Sequence, residues 1–358
     1  MNDTAGPRNS AAPDVVDVVA LGESMVAFLP GRPGRLADVP SFERAIGGAE
    51  SNVACALAAA GHTTRWVSRV GADGFGTHVV ERIAGYGVDV TCVTRDPDRP
   101  TGVYFRTAGD RGTGAHEVAY YRAGSAASAM SPGTVDLAAV RACRVLHLSG
   151  ITAALSEDCL RLLRELTAPG PSRPLVSFDV NYRPALWPDA DGPRVLLELA
   201  RRADIVFVGD DEARAAWGLH GGAALLEALP EPAVVVVKYG PGGATAFDRT
   251  TDGMEDADGT ATTVRAPKVD VVAHVGAGDA FAAGFLSGTL RGLPVRDRLR
   301  HGHLFAAAAL AAPGDLAAPP ARDHADRLAA LDDAAWGRLR LGPGWTRAVR
   351  AAQEASTP

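Results

Sequence analysis

Short runs of apolar, mostly β-branched residues recur along the chain, and stretches with helical spacing separate them. Glycine, aspartate or proline bounds each run. Several runs are apolar without strict alternation, as in strands that helices cover on both faces. This pattern predicts an α/β fold with a doubly wound, mostly parallel sheet. The predicted strands lie within DVVDVVALG, TRWVSRVG, RVLHLSG, PLVSFDVN, ADIVFVG and PAVVVVKYG.

Two segments interrupt this rhythm, at about residues 27–44 and 101–128, where no helical pattern separates the short strands. Glycine, arginine and tyrosine are frequent there, and stretches such as GVYFRT and EVAYYRAG partly alternate between apolar and polar residues. Such alternation favours half-exposed antiparallel strands. We expect the two segments to pair into one small β-sheet, a lid that stands off the main domain.

The two ends of the chain differ from its middle. Residues 1–14 are polar and lack the apolar core of a signal peptide, so they are predicted to form a disordered tail. Residues 15–330 form the predicted main domain, lid included, and residues 331–358 are expected to be helical.

Composition limits the classes of partner. The 358 residues are 47% hydrophobic with a net charge of −6, which suits a globular core and offers no basic surface to nucleic acid. The apolar runs are too short to cross a membrane. The four cysteines form no C-x-x-C pair, which argues against zinc and disulfide sites. We therefore expect a cytoplasmic protein that acts on small molecules.

The first candidate site is VVAHVGAGDAFAAGF, in which small residues precede a helix. Free backbone N–H groups and the positive end of the helix dipole would bind an anion there, and glycine lets a phosphate approach. Gly276, Ala277 and Gly278 would supply the amides, and Asp279 one carboxylate. The alternative is that Asp279 only caps the helix after a flexible turn.

The second candidate is IGGAESNVACALAAAG, where a glycine pair precedes a long apolar helix. Gly48 would let a ligand approach the backbone, and Asn52 on the first turn would reach a ligand hydroxyl. Taken alone, such a stretch more often forms a structural turn and a helix cap.

The third candidate is VVVVKYGPGGATAF, where Lys238 and a turn containing Gly240 and Gly243 follow an apolar strand. In a doubly wound sheet such a turn would line a nucleotide phosphate site, with Lys238 supplying positive charge. A plain hairpin turn would have the same residues. A Walker A loop is excluded, because neither of the two lysines precedes serine or threonine.

These three stretches, in this order, resemble the ribokinase-type (PfkB) family of carbohydrate kinases. Gly-Gly-x-x-x-Asn-x-Ala near the N-terminus and Gly-Ala-Gly-Asp near the C-terminus are the two signatures of that family, and the resemblance spans roughly residues 15–327. It implies a ribokinase-like fold with a β-sheet lid over the sugar. It also implies phosphoryl transfer from ATP with Mg²⁺ to a carbohydrate.

Four further stretches are similar to those of one branch of the family, the 2-keto-3-deoxygluconate kinases: PTGVYFR, YYRAGSAAS, LHLSGITAALS and FDVNYRPALW. The resemblance implies that the terminal hydroxyl of this sugar acid is phosphorylated. The chemistry agrees, because Arg122 and Arg183 would bind the carboxylate of the acid through their fork geometry. Tyr104 and Tyr120 would donate hydrogen bonds and cover the ligand. The alternative is that these are surface residues of the lid strands.

The resemblance gives each remaining candidate a role. Asp279 is the expected base, and the amides of residues 276–279 form the expected anion hole. The other expected contacts are Gly48, Asn52 and Asp315 with the sugar; Asn181, Lys238, Gly240, Gly243 and His303 with the nucleotide; and Glu212 in the outer shell of Mg²⁺.

Several positions depart from the family pattern near the metal and the nucleotide. Ala273-His274 stand where ribokinase relatives commonly have Asp-Thr, and Gly209 replaces the Asn of an Asn-x-x-Glu loop. His303 stands where keto-deoxy-sugar kinases often carry Asn. Two alternatives remain: another sugar kinase, such as a fructokinase or ribokinase, and a catalytically silent sugar-binding protein of the same fold. A homo-oligomer is expected, because exposed lid edges often pair.

Overall fold

A computed structural model describes residues 13–32, 34–107, 117–171, 173–187, 191–250 and 260–347 of the chain. Most of the predicted tail, residues 1–12, lies outside the described residues. So do residues 348–358 of the predicted helical end and residues 108–116 of the second lid segment.

Strands and helices alternate through most of the described chain, as the sequence pattern predicts. The strands are β1 (Val16–Leu21), β2 (Met25–Pro30), β3 (Phe42–Gly47), β4 (Thr64–Val67), β5 (Arg69–Gly71), β6 (Thr94–Asp96), β7 (Val103–Arg106), β8 (Val118–Tyr121), β9 (Cys143–Ser149), β10 (Leu175–Asp179), β11 (Ile205–Gly209), β12 (Val234–Lys238), β13 (Ala244–Asp248), β14 (Thr260–Val264), β15 (Lys268–Val269) and β16 (Arg340–Leu341). The helices are α1 (Ala49–Ala59), α2 (Gly74–Ala84), α3 (Leu137–Arg141), α4 (Gly150–Ala153), α5 (Glu157–Leu166), α6 (Gly192–Arg201), α7 (Asp210–Trp217), α8 (Gly221–Ala228), α9 (Ala277–Leu290), α10 (Val295–Leu310), α11 (Arg322–Ala329) and α12 (Asp333–Arg338). None of these described helices combines the length and the apolar composition needed to span a bilayer.

The main sheet has the strand order β14-β13-β12-β11-β10-β9-β1-β4. Strands β4, β1, β9, β10, β11 and β12 run parallel, whereas β13 and β14 are antiparallel additions at one edge. The six parallel strands lie in the six apolar runs of the sequence. The doubly wound, mostly parallel sheet is therefore confirmed.

Helices cover both faces of this sheet, which explains why its central strands lack polar alternation. Neighbouring residues of one strand enter different cores: Val145 packs with α1, α9 and α10, and Leu146 packs with α5 and α6. Both side chains are buried. The free energy of burial on each face stabilises the layered arrangement.

The small sheet has the order β3-β2-β7-β8, so the two lid segments pair into one sheet as predicted, but its strands are not all antiparallel. Strands β2 and β3 are antiparallel, as are β7 and β8, but β2 and β7 run parallel, so the sheet is mixed. Both central strands leave the main domain side by side, since Val26 donates its N–H to Gly102 O at 3.1 Å. Residues 126–129 form a short 3₁₀ helix with buried alanines that packs into the main core, outside this sheet.

The sequence pattern suggested that the C-terminal part is helical throughout. The structure shows that it also contains a strand. After α12 the chain forms β16, which pairs in parallel with β15. The helical periodicity of the preceding residues does not predict the two-residue strand β16, because its partner β15 lies some seventy positions earlier in the sequence.

Arg300 on α10 fixes the C-terminal helices to the main domain. Its guanidinium is fully buried and donates to Ala329 O at 2.7 Å, to Leu331 O, and to Asp333 Oδ1 at 2.8 Å. It also stacks over the ring of Trp336, 4.6 Å from the ring centroid. One side chain thus satisfies backbone carbonyls at the end of α11 and contacts α12.

We expect Arg300→Met to lower the free energy of unfolding by at least about 2 kcal/mol, because two carbonyls lose a charged donor inside the protein. The matched control is Arg296→Met, since the half-exposed Arg296 contacts the same Asp333 oxygen from the surface. An exposed pair contributes less than about 1 kcal/mol. Urea unfolding of both variants measures the difference. Equal losses would contradict the structural role of Arg300.

Candidate active site

Polar side chains collect where the parallel strands of the main sheet end. Glu23 follows β1, Ser149 ends β9, Asp179 ends β10 and Lys238 ends β12. The chain crosses from β1 to β4 on one side and later to β9 on the other, so the topology switches at β1. In open α/β sheets the crevice at such a switch point is the usual ligand site.

The GAGD stretch begins α9 next to this crevice. Gly276 is the N-cap with φ 76°, and no side chain caps the helix, so the amides of the first turn lack side-chain partners. A Cβ atom on Gly276 would lie only 2.1 Å from the carbonyl oxygen of Asp315. Glycine is therefore required both by the left-handed backbone and by the close approach of the chain after α10.

Asp279 does not cap the helix, so that alternative is wrong. It is the third residue of α9, and Asn52 Nδ2 donates to its Oδ2 at 2.8 Å. Burial raises the pKa of Asp279 to about 8, with the negative charges of Asp179 and Glu50 adding to the rise. The hydrogen bond from Asn52 and the positive charge of Lys238 act in the opposite direction.

Asn52 does not serve as a helix cap either. Helix α1 begins after Gly48, which makes no side-chain cap, and Asn52 lies in the first turn with its amide directed at Asp279. The Oδ1 atom of Asn52 is buried without a hydrogen-bond partner. Gly48 is needed for space, since a Cβ atom there would lie 2.2 Å from Glu23 O.

The backbone after β12 forms a hairpin turn, which is the alternative that the sequence analysis left open. Strands β12 and β13 are antiparallel, and Tyr239 donates its N–H to Gly243 O at 2.8 Å. Gly240 and Gly243 have positive φ values of 56° and 111°. The side chain of Lys238 nevertheless enters the crevice, where Nζ lies 2.9 Å from Asp179 Oδ2.

Two side chains of the small sheet, Tyr104 and Arg106, form hydrogen bonds with Asp315, next to the start of α9. Tyr104 donates its hydroxyl hydrogen to Asp315 Oδ2 at 2.7 Å, and Arg106 Nη2 donates to Asp315 Oδ1 at 3.0 Å. Burial raises the pKa of Tyr104, and the Asp315 carboxylate raises it further, so the hydroxyl stays a donor. The ring of Tyr120 lies 5.5 Å from that of Tyr104.

The two arginines predicted to bind a ligand carboxylate already contact carboxylates of the protein. Arg122 forms an ion pair with Glu23, whose Oε1 also accepts from Ser125 Oγ at 2.5 Å. Arg183 Nη1 lies 3.2 Å from Glu212 Oε1. Each charge is thus matched before any ligand binds. The Nε atom of Arg122 remains a buried donor without a partner.

Glu212, predicted in the outer shell of Mg²⁺, is engaged through both oxygens. Besides the contact with Arg183, its Oε2 accepts from the N–H of Gly209 at 2.9 Å, which closes the start of α7. Gly209, at the position of the family's Asn, is the N-cap of this helix. The metal role of Glu212 stays a prediction.

Asn181 and His303, both predicted to contact the nucleotide, have different environments. Asn181 has φ 40°, the only positive value outside glycine among the described residues, and its Oδ1 is buried without a partner. Such strain is typical of functional positions. His303 lies inside the core, where its Nε2 is 3.1 Å from Val264 O and burial lowers its pKa to about 4. It lies behind the hairpin turn, because Gly243 packs against the same carbonyl.

The candidates predicted from the sequence omit Glu50, which lies at the centre of the switch point. It is fully buried, and its Oε1 accepts from Ser149 Oγ at 2.8 Å and Thr152 Oγ1 at 2.6 Å. Its Oε2 has no hydrogen-bond partner, and burial raises its pKa. Gly22 makes room for this carboxyl group, since a Cβ atom there would overlap it.

Glu23, Asp179 and Arg106 were also missed as site residues. Glu23 and Asp179 follow or end predicted parallel strands, and such positions converge at the ligand edge of the sheet. That rule, applied to every strand, would have found both. Arg106 lies two residues after Tyr104 in the lid strand, on the same side of the sheet.

The site offers no ready-made metal cage. Across the described ranges, no three His, Cys, Asp or Glu side chains converge in a way that could hold a metal ion. Mg²⁺ at phosphoryl-transfer sites usually keeps several waters and binds one or two carboxylates together with substrate phosphates. The arrangement is compatible with that kind of binding.

Comparison with known proteins identifies the family of the chain. A model of the pfkB family of carbohydrate kinases matches residues 16–322. The chain is 35% identical to the 2-dehydro-3-deoxygluconokinase of Bacillus subtilis, covering 86% of this chain and 94% of that protein. It is 33% identical to the 2-dehydro-3-deoxygluconokinase of Thermoproteus tenax, with coverages of 88% and 94%.

A solved structure shows the same fold. The crystal structure of a PfkB protein from a Polaromonas species superposes on this chain with a TM-score of 0.75, and the two sequences are 31% identical. The match covers 87% of this chain and 99% of that protein. Since the family model spans most of the residues that form the two sheets, this chain belongs to the pfkB family of carbohydrate kinases and has the ribokinase-like fold that its motifs predict.

Proposed function

We propose that this protein phosphorylates the terminal hydroxyl of 2-keto-3-deoxygluconate, also called 2-dehydro-3-deoxygluconate, with ATP as the donor. The observation that carries the proposal is the position of Asp279, a carboxylate with a raised pKa beside the free amides that begin α9. A base next to an anion site is the arrangement that phosphoryl transfer to a hydroxyl requires. The names of the two relatives support this particular sugar acid.

The sugar acid would bind between the small sheet and the start of α9. Tyr104, Tyr120 and Asp315 would contact its hydroxyls, while Gly48 and Asn52 would line the opposite wall. The unpartnered Nε of Arg122 supports a carboxylate contact, because this arginine can accept a second anion without leaving Glu23. Arg183 would complete the contact from the loop that follows β10.

The nucleotide would lie along the ends of β10, β11 and β12. The amides of residues 276–278 and the ammonium of Lys238 would face its transferred phosphate, and the turn through Gly240 and Gly243, together with Asn181, would face the rest of the nucleotide. Mg²⁺, when bound, would offset the negative charge of the phosphates. The buried, unpartnered oxygen of Asn181 fits a water-mediated contact with it, as does the carboxylate of Glu212 after exchange of a partner.

Catalysis would depend on the protonation of Asp279. As the bond from the substrate oxygen to phosphorus forms and the bond to the ADP oxygen breaks, the hydroxyl proton would pass to the Asp279 carboxylate. Only the ionised form can accept it. Because burial raises its pKa to about 8, the ionised fraction of Asp279 in the free enzyme should increase as the pH rises toward 8.

A second candidate is a kinase for a neutral sugar such as fructose. The observation that favours it is the charge balance of the pocket, since Arg122 and Arg183 are already paired with Glu23 and Glu212. A neutral ligand would leave both pairs intact.

The expected homo-oligomer and the cytoplasmic location stay predictions, and neither is needed for this reaction.

Substrate choice decides between the two candidates. We expect kcat/KM for 2-keto-3-deoxygluconate to exceed that for fructose and ribose, and Arg122→Ala to lower it by roughly ten- to a hundredfold, since a charge-assisted hydrogen bond is worth about 1.5–3 kcal/mol. Arg122→Lys should retain only part of the wild-type kcat/KM, because lysine keeps the charge but lacks the forked guanidinium geometry. A neutral analogue with a primary alcohol in place of the carboxylate is the control. Equal losses for acid and analogue, or a wild-type preference for fructose, would favour the second candidate.

Replacement of the proposed base gives an independent check. We expect Asp279→Asn to lower kcat by at least about a hundredfold with ATP binding retained, because the amide cannot accept the proton. Single-turnover kinetics and ATP titration measure the two quantities separately. A variant with near-normal kcat would show that another group takes the proton.

The acid limb of the pH profile tests the environment of Asp279. With both substrates below their KM values, kcat/KM should rise with pH up to about pH 8, where the carboxyl group has ionised. Asn52→Leu should move this limb to higher pH, since the lost hydrogen bond stabilised the ionised form. Ser51→Ala on the same turn is the control, because Ser51 bonds Ser24 and Gly48 instead. An unmoved limb in Asn52→Leu would refute the assignment.

A further inference from the structure

Asp179 and Lys238 form a two-contact ion pair beneath the start of α9. Lys238 Nζ lies 2.9 Å from Oδ2 and 3.2 Å from Oδ1 of Asp179. The carboxylate is 4% exposed and the lysine side chain 18%. Asp179 ends β10 and Lys238 ends β12, so the lysine reaches across the intervening strand β11 to its partner.

The ammonium group lies against the first turn of α9. Its Nζ is 3.6 Å from the position that a Cβ atom of Gly278 would occupy, and Gly278 directly precedes Asp279. The exposed backbone of Gly278 therefore has a fixed positive charge beside it. A lysine alone at this place would be free to rotate, because its four-carbon side chain has many rotamers.

Lys238 stays charged in this environment. Burial alone lowers its pKa, but Asp179 on β10, Glu212 on α7 and Asp279 on α9 attract the ammonium and together raise its pKa above the usual value. His147 on β9 interacts electrostatically with both members of the pair and remains neutral near pH 7, since burial lowers its pKa to about 4.

We propose that Asp179 is a positioning residue that holds the Lys238 ammonium against the first turn of α9, where it neutralises negative charge on the phosphoryl group in transit. The inference rests on the proposed phosphoryl transfer and goes beyond it by assigning Asp179 a role. A fixed charge near the reacting centre lowers the barrier more than a mobile one, because no reorganisation is needed during the reaction. Lys238 therefore acts on kcat, and Asp179 acts through Lys238.

The rarity of lysine in this chain makes the contact directly observable. Lys238 and Lys268 are the only two lysines, and Lys268 on β15 is exposed. In protein labelled with ¹³C at the ε carbon of lysine, NMR resolves the two side chains, so Lys268 is an internal control. A pH titration then follows the ammonium of Lys238 in the unmodified enzyme.

The test compares Asp179→Asn with Asp204→Asn, a matched change at an ion pair with Arg173. Asp204 directly precedes β11, so this control pair lies at the opposite end of the strands from Asp179. We expect Asp179→Asn to lower the titration midpoint of the Lys238 signal and to leave Lys268 unchanged. It should lower kcat by about ten- to a hundredfold while the KM values for ATP and sugar change less than about threefold. Asp204→Asn should leave the Lys238 signal and kcat as in the wild type.

A double variant separates positioning from a merely structural effect. Lys238→Met should lower kcat by about a hundredfold or more, and adding Asp179→Asn should cause no further loss, because Asp179 acts only through the ammonium. Fully additive losses would overturn the proposal. So would an unshifted Lys238 signal in Asp179→Asn, or a rise in KM for ATP with kcat unchanged, which would assign Lys238 to nucleotide binding.

Failure of the inference can be told apart from failure of the proposed function. A wild-type enzyme that phosphorylates no sugar of the panel overturns the proposed function, and the inference with it. An active wild type whose Asp179→Asn variant keeps a normal kcat overturns the inference alone.

Discussion

The close approach of Gly276 to the carbonyl of Asp315 links the main domain, the start of α9 and the small sheet. Any side chain at position 276 would overlap that carbonyl, so the two segments can meet only through glycine. The contact sets where α9 begins, and hence where Asp279 lies. It also places the Asp315 carboxylate in reach of Tyr104 and Arg106, which extend from the small sheet. Asp279 and the small sheet are therefore both positioned by one backbone contact.

The sequence pattern is sufficient for the main sheet because its strands are local features. A strand covered by helices on both faces is apolar throughout, and this property can be recognised without knowing its neighbours, as for β11 and β12. The GAGD motif is recognisable for a similar reason, since the left-handed Gly276 and the free helix amides depend on adjacent residues. The family and the fold follow from these local signals.

The pairings that were wrong or missing depend on residues far apart in sequence. The parallel register of β2 with β7 follows from where both strands leave the main domain, not from their own residues. Asp279 and Asn52 are separated by 227 positions, and Asp179 and Lys238 by 59. His303 is a different case, because this polar residue at a family position lies in the core, bonded to a backbone carbonyl, and its nucleotide contact stays a prediction. Local patterns cannot distinguish such a buried histidine from a ligand-facing one.

Charge pairing before ligand binding is the property of the pocket that follows from these distant contacts. Each of four cationic side chains already has a carboxylate partner: Arg106 with Asp315, Arg122 with Glu23, Arg183 with Glu212 and Lys238 with Asp179. An unpaired buried cation would cost several kcal/mol, so the pairs of Arg106, Arg122 and Lys238 stabilise the protein, whereas the half-exposed Arg183 contributes less. An anionic ligand must then share a cation or displace its carboxylate. The buried Nε donors of Arg106 and Arg122 have no partner, which allows sharing. A correctly shaped anion can use these donors without breaking a pair, whereas a poorly placed one must separate two charges. Under the proposed function, selectivity for the shape of an acidic ligand would therefore arise from the pairing itself, and not from an excess of positive charge.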